Sequence, residues 1–260
     1  MKTISAMTMA LLMTMLLRAQ DTPPRKAHPA IRTAHRSPAF VLQKKPSVHE
    51  IANLFVRTEV GEIDPFELIG MLAAKKDTVV PVLAELLFSP GIKGKKDRPA
   101  KVDTLQIIDA AAPNGIYAIL ALQAIGTNSA YDIILKAAAS IHDKEVRGVA
   151  LHSVGTSYYF KTCNENISPD KEIVHLFLRN LDDSEEVSFL QKDFAEVSKE
   201  GLKNWTGKDG ATFQRNERPV AHGGVKKSMT PLESRESWWS KVGTKVKWNK
   251  ANGKFEWATQ

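Results

Sequence analysis

Two pairs of similar segments constrain the fold of this chain more than any other feature of its sequence. Residues 119–126, ILALQAIG, match residues 148–155, GVALHSVG, at an offset of 29. Residues 132–146 match residues 173–187 at an offset of 41. A repeated unit of roughly 30 to 40 residues with two helices exposes an apolar face that only a neighbouring unit can cover. The sequence therefore predicts an all-α fold, an α-solenoid of antiparallel helix pairs.

The two offsets differ because the second unit is longer. Their difference of 12 residues places an insertion between Gly155 and Ser168. Insertions in helical solenoids emerge from one face, which is often the binding face. This insertion carries Tyr158, Tyr159 and Phe160, and large aromatic side chains anchor protein interfaces. We expect these three residues to contact a partner. The alternative is that they complete the preceding helix and pack on the core.

Signals for helix ends support a helical architecture along most of the chain. Ser47 begins a capping box, and Pro65 follows Asp64 at a position where a helix tolerates proline. Gly126 and Gly155 are each expected to end a helix. Three predicted helices begin at Ser47, Asp64 and Asp77. Five more are predicted over residues 115–126, 129–142, 143–155, 168–181 and 183–205. Residues 102–112 give no clear signal for a helix or a strand.

The segment DKEVR at residues 143–147, followed by Val149-Ala150 and Val154-Gly155, resembles a known repeat family. It is similar to the HEAT repeats of short bacterial, phycobilisome-lyase-like proteins, whose usual pattern is Asp-Pro-Glu-Val-Arg and then Ala-Leu-Gly. Lys144 stands here in place of the proline. The resemblance extends over residues 64–205 and implies a HEAT/armadillo-like superhelix. It also implies that Asp143 and Arg147 are structural, as members of a ladder between repeats.

The first 20 residues have the pattern of a secretory signal peptide. Lys2 precedes Ile4–Leu17, a run without charge that suits a signal and is too short to span a bilayer as an untilted helix. The alternatives are a retained membrane anchor and a buried helix. We expect cleavage, export to the periplasm or the extracellular space, and no transmembrane span in the mature chain. Loss of Lys2 and Arg18 lowers the formal net charge from +7 to +5.

Two basic segments indicate a second class of partner, the polyanions. Residues 21–46 contain five prolines and six Lys or Arg side chains against one Asp, which predicts a disordered linker. We interpret this linker as a spacer, with polyanion binding as the alternative. The second basic segment lies between Ser89 and Lys101, where solvated charge is the alternative interpretation. Its candidate partner-binding residues are Lys93, Lys95, Lys96 and Arg98.

Residues 206–260 are predicted to be a loop followed by a Trp-rich capping segment. Residues 210–235 have the composition of a mobile loop. The segments 201–209 and 236–257 resemble the closing part of some bacterial HEAT-repeat proteins. We expect Trp238, Trp239 and Trp248 to cover the apolar end of the last repeat, because the ends of a solenoid must be covered. The alternative is an aromatic platform for sugars or peptides.

No motif in the sequence indicates catalysis. The histidines lack a zinc-binding spacing, Cys163 is the single cysteine, and neither a nucleophile elbow nor a phosphate-binding Gly-Lys-Ser/Thr loop occurs. We therefore expect no catalytic residue, no metal site and no cofactor. The first hypothesis is an exported scaffold that binds a protein or peptide in the cell envelope. The second is a polyanion-binding envelope protein, and the third a lyase-like enzyme on the same scaffold.

Overall fold

The computed structural model of the chain describes residues 42, 45–59, 61–89, 111–208, 213 and 230–257. These residues are mostly helical, which confirms the all-α class, and two short antiparallel β-hairpins complete them. The α-helices are α1 Val48–Glu59, α2 Pro65–Ala74, α3 Val80–Phe88, α4 Ala111–Ile125, α5 Asn128–Ser140, α6 Lys144–Ser153, α7 Tyr159–Glu165, α8 Glu172–Arg179, α9 Phe194–Thr206 and α10 Pro231–Val242. The strands are β1 Glu186–Val187, β2 Lys192–Asp193, β3 Val246–Asn249 and β4 Lys254–Trp257.

Several helix ends lie where the capping signals placed them. The Glu50 N–H donates to Ser47 Oγ at 3.2 Å before α1, and Asp64 accepts from two amides with Pro65 at the first position of α2. Gly126 ends α4 in the left-handed conformation, with φ of +66°. Asp143 caps α6 by accepting from the Val146 amide at 3.0 Å. Local chemistry therefore determines these ends.

The helices pack along the chain around one continuous apolar core. Helix α4 contacts α1, α2, α3, α5 and α6, and α9 contacts α6 and α8. Helix α10 packs on α8, and the β3–β4 hairpin packs on α9 through β4. The core runs through all of these elements, from Leu42 to Phe255. Ser153 Oγ, on α6, donates to Gln123 Oε1, on α4, at 2.9 Å, so the two segments that match at an offset of 29 contact each other.

The prediction that a helix ends at Gly155 is wrong. The chain continues from α6 through a π-helical turn, Val154–Tyr158, directly into α7, and the helical path ends at Asn166 with φ of +54°. Gly155 is needed for close packing instead. A Cβ atom at this position would lie 3.1 Å from the Cα of Gly201 and 3.3 Å from the ring of Phe177. Residues 156–165 are therefore helix, and the helix carries the three predicted aromatic residues.

The prediction of one helix over residues 183–205 is also wrong. The β1–β2 hairpin occupies residues 186–193, and α9 begins only at Phe194. Asp193 and Glu196 form a complete capping box at this point, which fixes the start of α9. The side chain of Val187 is fully buried and fills the space above Gly148, where a Cβ atom would lie 2.3 Å from it. Packing against α6 thus holds Val187 in the hairpin.

The boundaries of the domain also differ from those predicted. Leu42 and Pro46 are buried, and Lys75 Nζ donates to the Leu42 carbonyl at 3.3 Å, so the end of the predicted linker packs on the helices. The predicted loop 210–235 overlaps α10, which begins at Pro231 with Thr230 as its N-cap. Residues 1–41, with the predicted signal and most of the linker, lie outside the described residues. Within those that are described, no helix combines the length and the apolar character that a membrane span requires.

Candidate interaction surface

Phe160 is the most exposed large apolar side chain in the part of the chain that the structure describes. Its exposed fraction is 47%, compared with 42% for Phe66 and 42% for Leu232. It lies in the first turn of α7, and its ring meets the ring of Tyr159 edge to face with centroids 5.4 Å apart. The first turn of α7 therefore presents a large apolar group to solvent, which is the kind of group that anchors a protein interface.

The two tyrosines of the predicted site have other environments. Tyr158 is buried and stacks on Tyr131 with ring centroids 4.8 Å apart, so its side chain belongs to the core and not to an exposed surface. Tyr159 is half-buried, and its ring contacts Trp205 at 5.2 Å. Burial, and then the neighbouring Cys163, raise the pKa of Tyr159 to about 12. The Tyr159 hydroxyl is therefore neutral at physiological pH.

Trp205 joins α7 to the C-terminal hairpin. Its side chain is fully buried, and its indole N–H donates to the Val154 carbonyl at 3.1 Å. The ring of Trp248 lies 5.8 Å from it and that of Phe255 5.9 Å from it. The tertiary structure thus brings residues 159 and 248 to the same aromatic cluster, although they are far apart in sequence.

A second contact aligns the turn of the hairpin with α7. Cys163 Sγ lies 3.6 Å from the Gly253 carbonyl oxygen, and a Cβ at Gly253 would lie 2.8 Å from the same sulfur atom. Phe160 and Cys163 are three residues apart on one helix and are therefore neighbours on its surface. We give the name α7–hairpin surface to five of the exposed residues of α7 and the hairpin, which are Phe160, Lys247, Lys250, Ala251 and Asn252.

The sequence analysis missed the hairpin half of this surface. Residues 246–249 and 254–257, VKWN and KFEW, each alternate apolar and polar residues, and Asn252 and Gly253 lie in the turn between them. Two runs in which apolar and polar residues alternate, with turn residues between the runs, predict a β-hairpin. The pairing of Trp248 with Phe255 places both aromatic rings on the inner face, and Lys247 pairs with Glu256 on the outer face.

The C-terminal tryptophans cover the surface of α8 and α9. Trp239 stacks on the imidazole of His175 with centroids 5.4 Å apart, while His175 Nε2 lies 2.7 Å from Glu236 Oε2. Trp238 packs beside Trp257 with centroids 6.2 Å apart. Arg235 is buried and pairs with Asp182 at 2.5 Å. These contacts fasten α10 and the hairpin to the last helices.

Asp143 caps its own helix, and Arg147 connects neighbouring elements. Asp143 is the N-cap of α6, and Arg147 Nη2 lies 3.7 Å from Asp183 and 3.6 Å from Glu185, in the turn before the next hairpin. The guanidinium of Arg147 also lies over the ring of Phe194, 4.5 Å from its centroid. These contacts give both side chains a structural role. By contrast, Lys93, Lys95, Lys96 and Arg98 lie outside the described residues.

No group of three or more His, Cys, Asp or Glu side chains in the described ranges has the arrangement of a metal site. Burial lowers the pKa of His152, with Lys192 adding to this effect and Glu200 opposing it. Comparison of the chain with protein-family models, with curated proteins and with solved structures finds no match.

Proposed function

We propose that this protein is a non-catalytic helical-repeat scaffold that binds a protein or peptide partner through the α7–hairpin surface. The observation that carries the proposal is that Phe160 is exposed on a helix that packs on the core through Tyr159. Tyr159 and Trp205 support α7 on its inner side, so little conformational freedom of the backbone is lost when a partner covers Phe160. Interfaces gain affinity when their anchors are held in place before binding.

The proposal includes a HEAT-like solenoid that is exported to the cell envelope. Support for the solenoid comes from the contact between the matching segments at Ser153 and Gln123, and from Arg147, which links α6 to the next unit. Support for export comes from the signal-like pattern of residues 1–20. In such a scaffold the repeats cover one another's apolar faces, and an exposed ring such as Phe160 remains for a partner.

The test is a pull-down from an envelope extract of the native host with residues 21–260 as bait. We expect Phe160→Ala to lose a partner that the wild-type chain retains through a high-salt wash. Phe66→Ala is the matched control, because Phe66 is 42% exposed and lies on α2. Far-UV circular dichroism should be the same for all three baits. Equal recovery of the partner by Phe160→Ala and by the wild-type chain would contradict the proposal.

Tyr158→Ala is unsuitable for this experiment. Tyr158 is buried and stacks on Tyr131, so its removal tests the stability of the fold and not the surface. A partner lost only in Tyr158→Ala would therefore indicate unfolding. Phe160→Ala removes an exposed ring and separates binding from stability.

A further inference from the structure

Exposed lysines lie on the C-terminal hairpin and in the 3-10 turn before it, and they outnumber the acidic residues there. Lys245, Lys247 and Lys250 are exposed. None of them forms an ion pair with another of the described residues. Three lysines within six residues therefore face solvent.

The acidic residue that could neutralise this face is already engaged. Glu256 pairs with Lys247 across the two strands, but its carboxylate oxygens accept hydrogen bonds from Asn249 Nδ2, at 2.9 Å, and from Asn252 Nδ2. These two hydrogen bonds hold the pKa of Glu256 below its usual value. Glu256 therefore stays ionised and contributes one negative charge, against the positive charges of Lys247 and Lys250, so the hairpin keeps a net positive charge.

From these observations we propose that the α7–hairpin surface selects an acidic peptide segment of its partner protein. The carboxylates of that segment bind Lys247 and Lys250, and an adjacent large apolar side chain packs on Phe160. This inference rests on the proposed function and adds the chemistry of the partner. The contact between Cys163 and Gly253 places the basic turn about one helical turn from Phe160. An extended peptide of about six residues, at about 3.3 Å per residue, is as long as a four-residue strand and one helical turn together. Such a peptide is therefore long enough to contact both the lysines and Phe160.

The geometry favours an acidic peptide over a nucleic acid or a membrane. Binding of single-stranded nucleic acid uses exposed aromatic rings on which bases stack. The hairpin rings are engaged within the protein instead: Trp248 and Phe255 pack against Trp205, and Trp257 packs against Phe213 and Trp238. A single exposed ring, Phe160, gives little area for insertion into a lipid surface, but it suffices as one anchor for a peptide.

The experiment measures fluorescence anisotropy of a labelled peptide, Glu-Asp-Glu-Leu-Phe-Glu-Asp-Glu, with residues 21–260. We expect saturable binding that weakens about tenfold in Lys247→Glu/Lys250→Glu, because like charges then face each other across the contact. Lys45→Glu/Lys136→Glu is the matched control, since it changes the net charge equally at exposed positions on other elements. It should bind within about twofold of wild type. Salt should weaken binding, because exposed ion pairs are screened.

Several outcomes would overturn the inference. These are equal affinity in Lys247→Glu/Lys250→Glu and the wild-type chain, an equal loss in the control pair, and equal binding of the same peptide with lysine at every acidic position. Binding of a labelled oligonucleotide or of anionic lipid vesicles without binding of the peptide would also overturn it. If Phe160→Ala loses the captured partner while the lysine variant keeps it, the proposed function stands and only the acidic preference fails.

Discussion

Gly201→Ala tests the packing at the centre of the fold most directly. Gly201 lies within α9, and a Cβ atom there would lie 2.2, 2.4 and 2.6 Å from three ring atoms of Phe177. Phe177 is fully buried, and the backbone of Gly155 approaches Gly201 closely as well. The added methyl group therefore has no free space, and either the Phe177 ring or α9 itself must move.

Two effects of opposite sign determine the change in the free energy of unfolding. Alanine is the better helix former, which favours the variant by about 1 kcal/mol. Overpacking of a fixed core costs about 1–3 kcal/mol, and we take about 3 kcal/mol because three ring atoms of one buried side chain are involved. The net expectation for Gly201→Ala is a loss of about 2 kcal/mol, from the difference of these terms. For a chain of this size, that loss lowers Tm by about 4–8 °C.

Gly70→Ala is the matched control, because it makes the same change within α2 where no atom lies within 4 Å of the new Cβ. We expect it to be more stable than wild type by about 1 kcal/mol, from helix propensity alone. Urea denaturation followed by circular dichroism measures both variants. If Gly201→Ala proves as stable as Gly70→Ala, the close approach of α8 and α9 described above is incorrect.

Three further predictions concern individual side chains. Asp143→Ala removes the N-cap of α6 and should lower the free energy of unfolding by about 1 kcal/mol in urea denaturation; no change would show that the cap contributes nothing. Tyr158→Ala should cost about 3–5 kcal/mol in the same assay, whereas Phe160→Ala should cost under about 1 kcal/mol, because only Tyr158 is buried. Burial lowers the pKa of His152 below its ordinary value of 6.5, so the unfolded chain binds a proton at a higher pH than the native chain does. The native protein should therefore lose stability as the pH falls below 6.5, and His152→Asn should lose less in thermal scans between pH 7 and pH 5; parallel pH profiles would contradict this.

The sequence predicted helix ends better than helix continuity. Capping at Asp64 and Asp143 involves atoms within three residues of each other, so a local pattern contains the whole interaction. Gly155 also follows an apolar run, as Gly126 does, but only Gly126 ends a helix. The difference lies in the contact of Gly155 with Gly201 and Phe177, and no local pattern records that contact.

One part of the candidate surface could be predicted from the sequence, and the other part depends on contacts between distant segments. Phe160 was predicted as a contact residue from its residue type and its place after the matched segments, and the structure exposes it. The neighbouring Tyr158 is also aromatic, but it lies in the π-helical turn before α7, where it is buried and stacks on Tyr131. The part played by Lys247 and Lys250 required the tertiary contact between Cys163 and Gly253.

The sequence by itself determined the helical class and several helix ends. Each of these follows from interactions within a few residues or from the periodicity of apolar side chains. The tertiary structure alone decided which glycines allow close packing, which aromatic side chains are exposed, and that the terminal hairpin lies beside α7. These depend on distances between segments far apart in the chain, and such distances are set only when the core around Trp205 is packed.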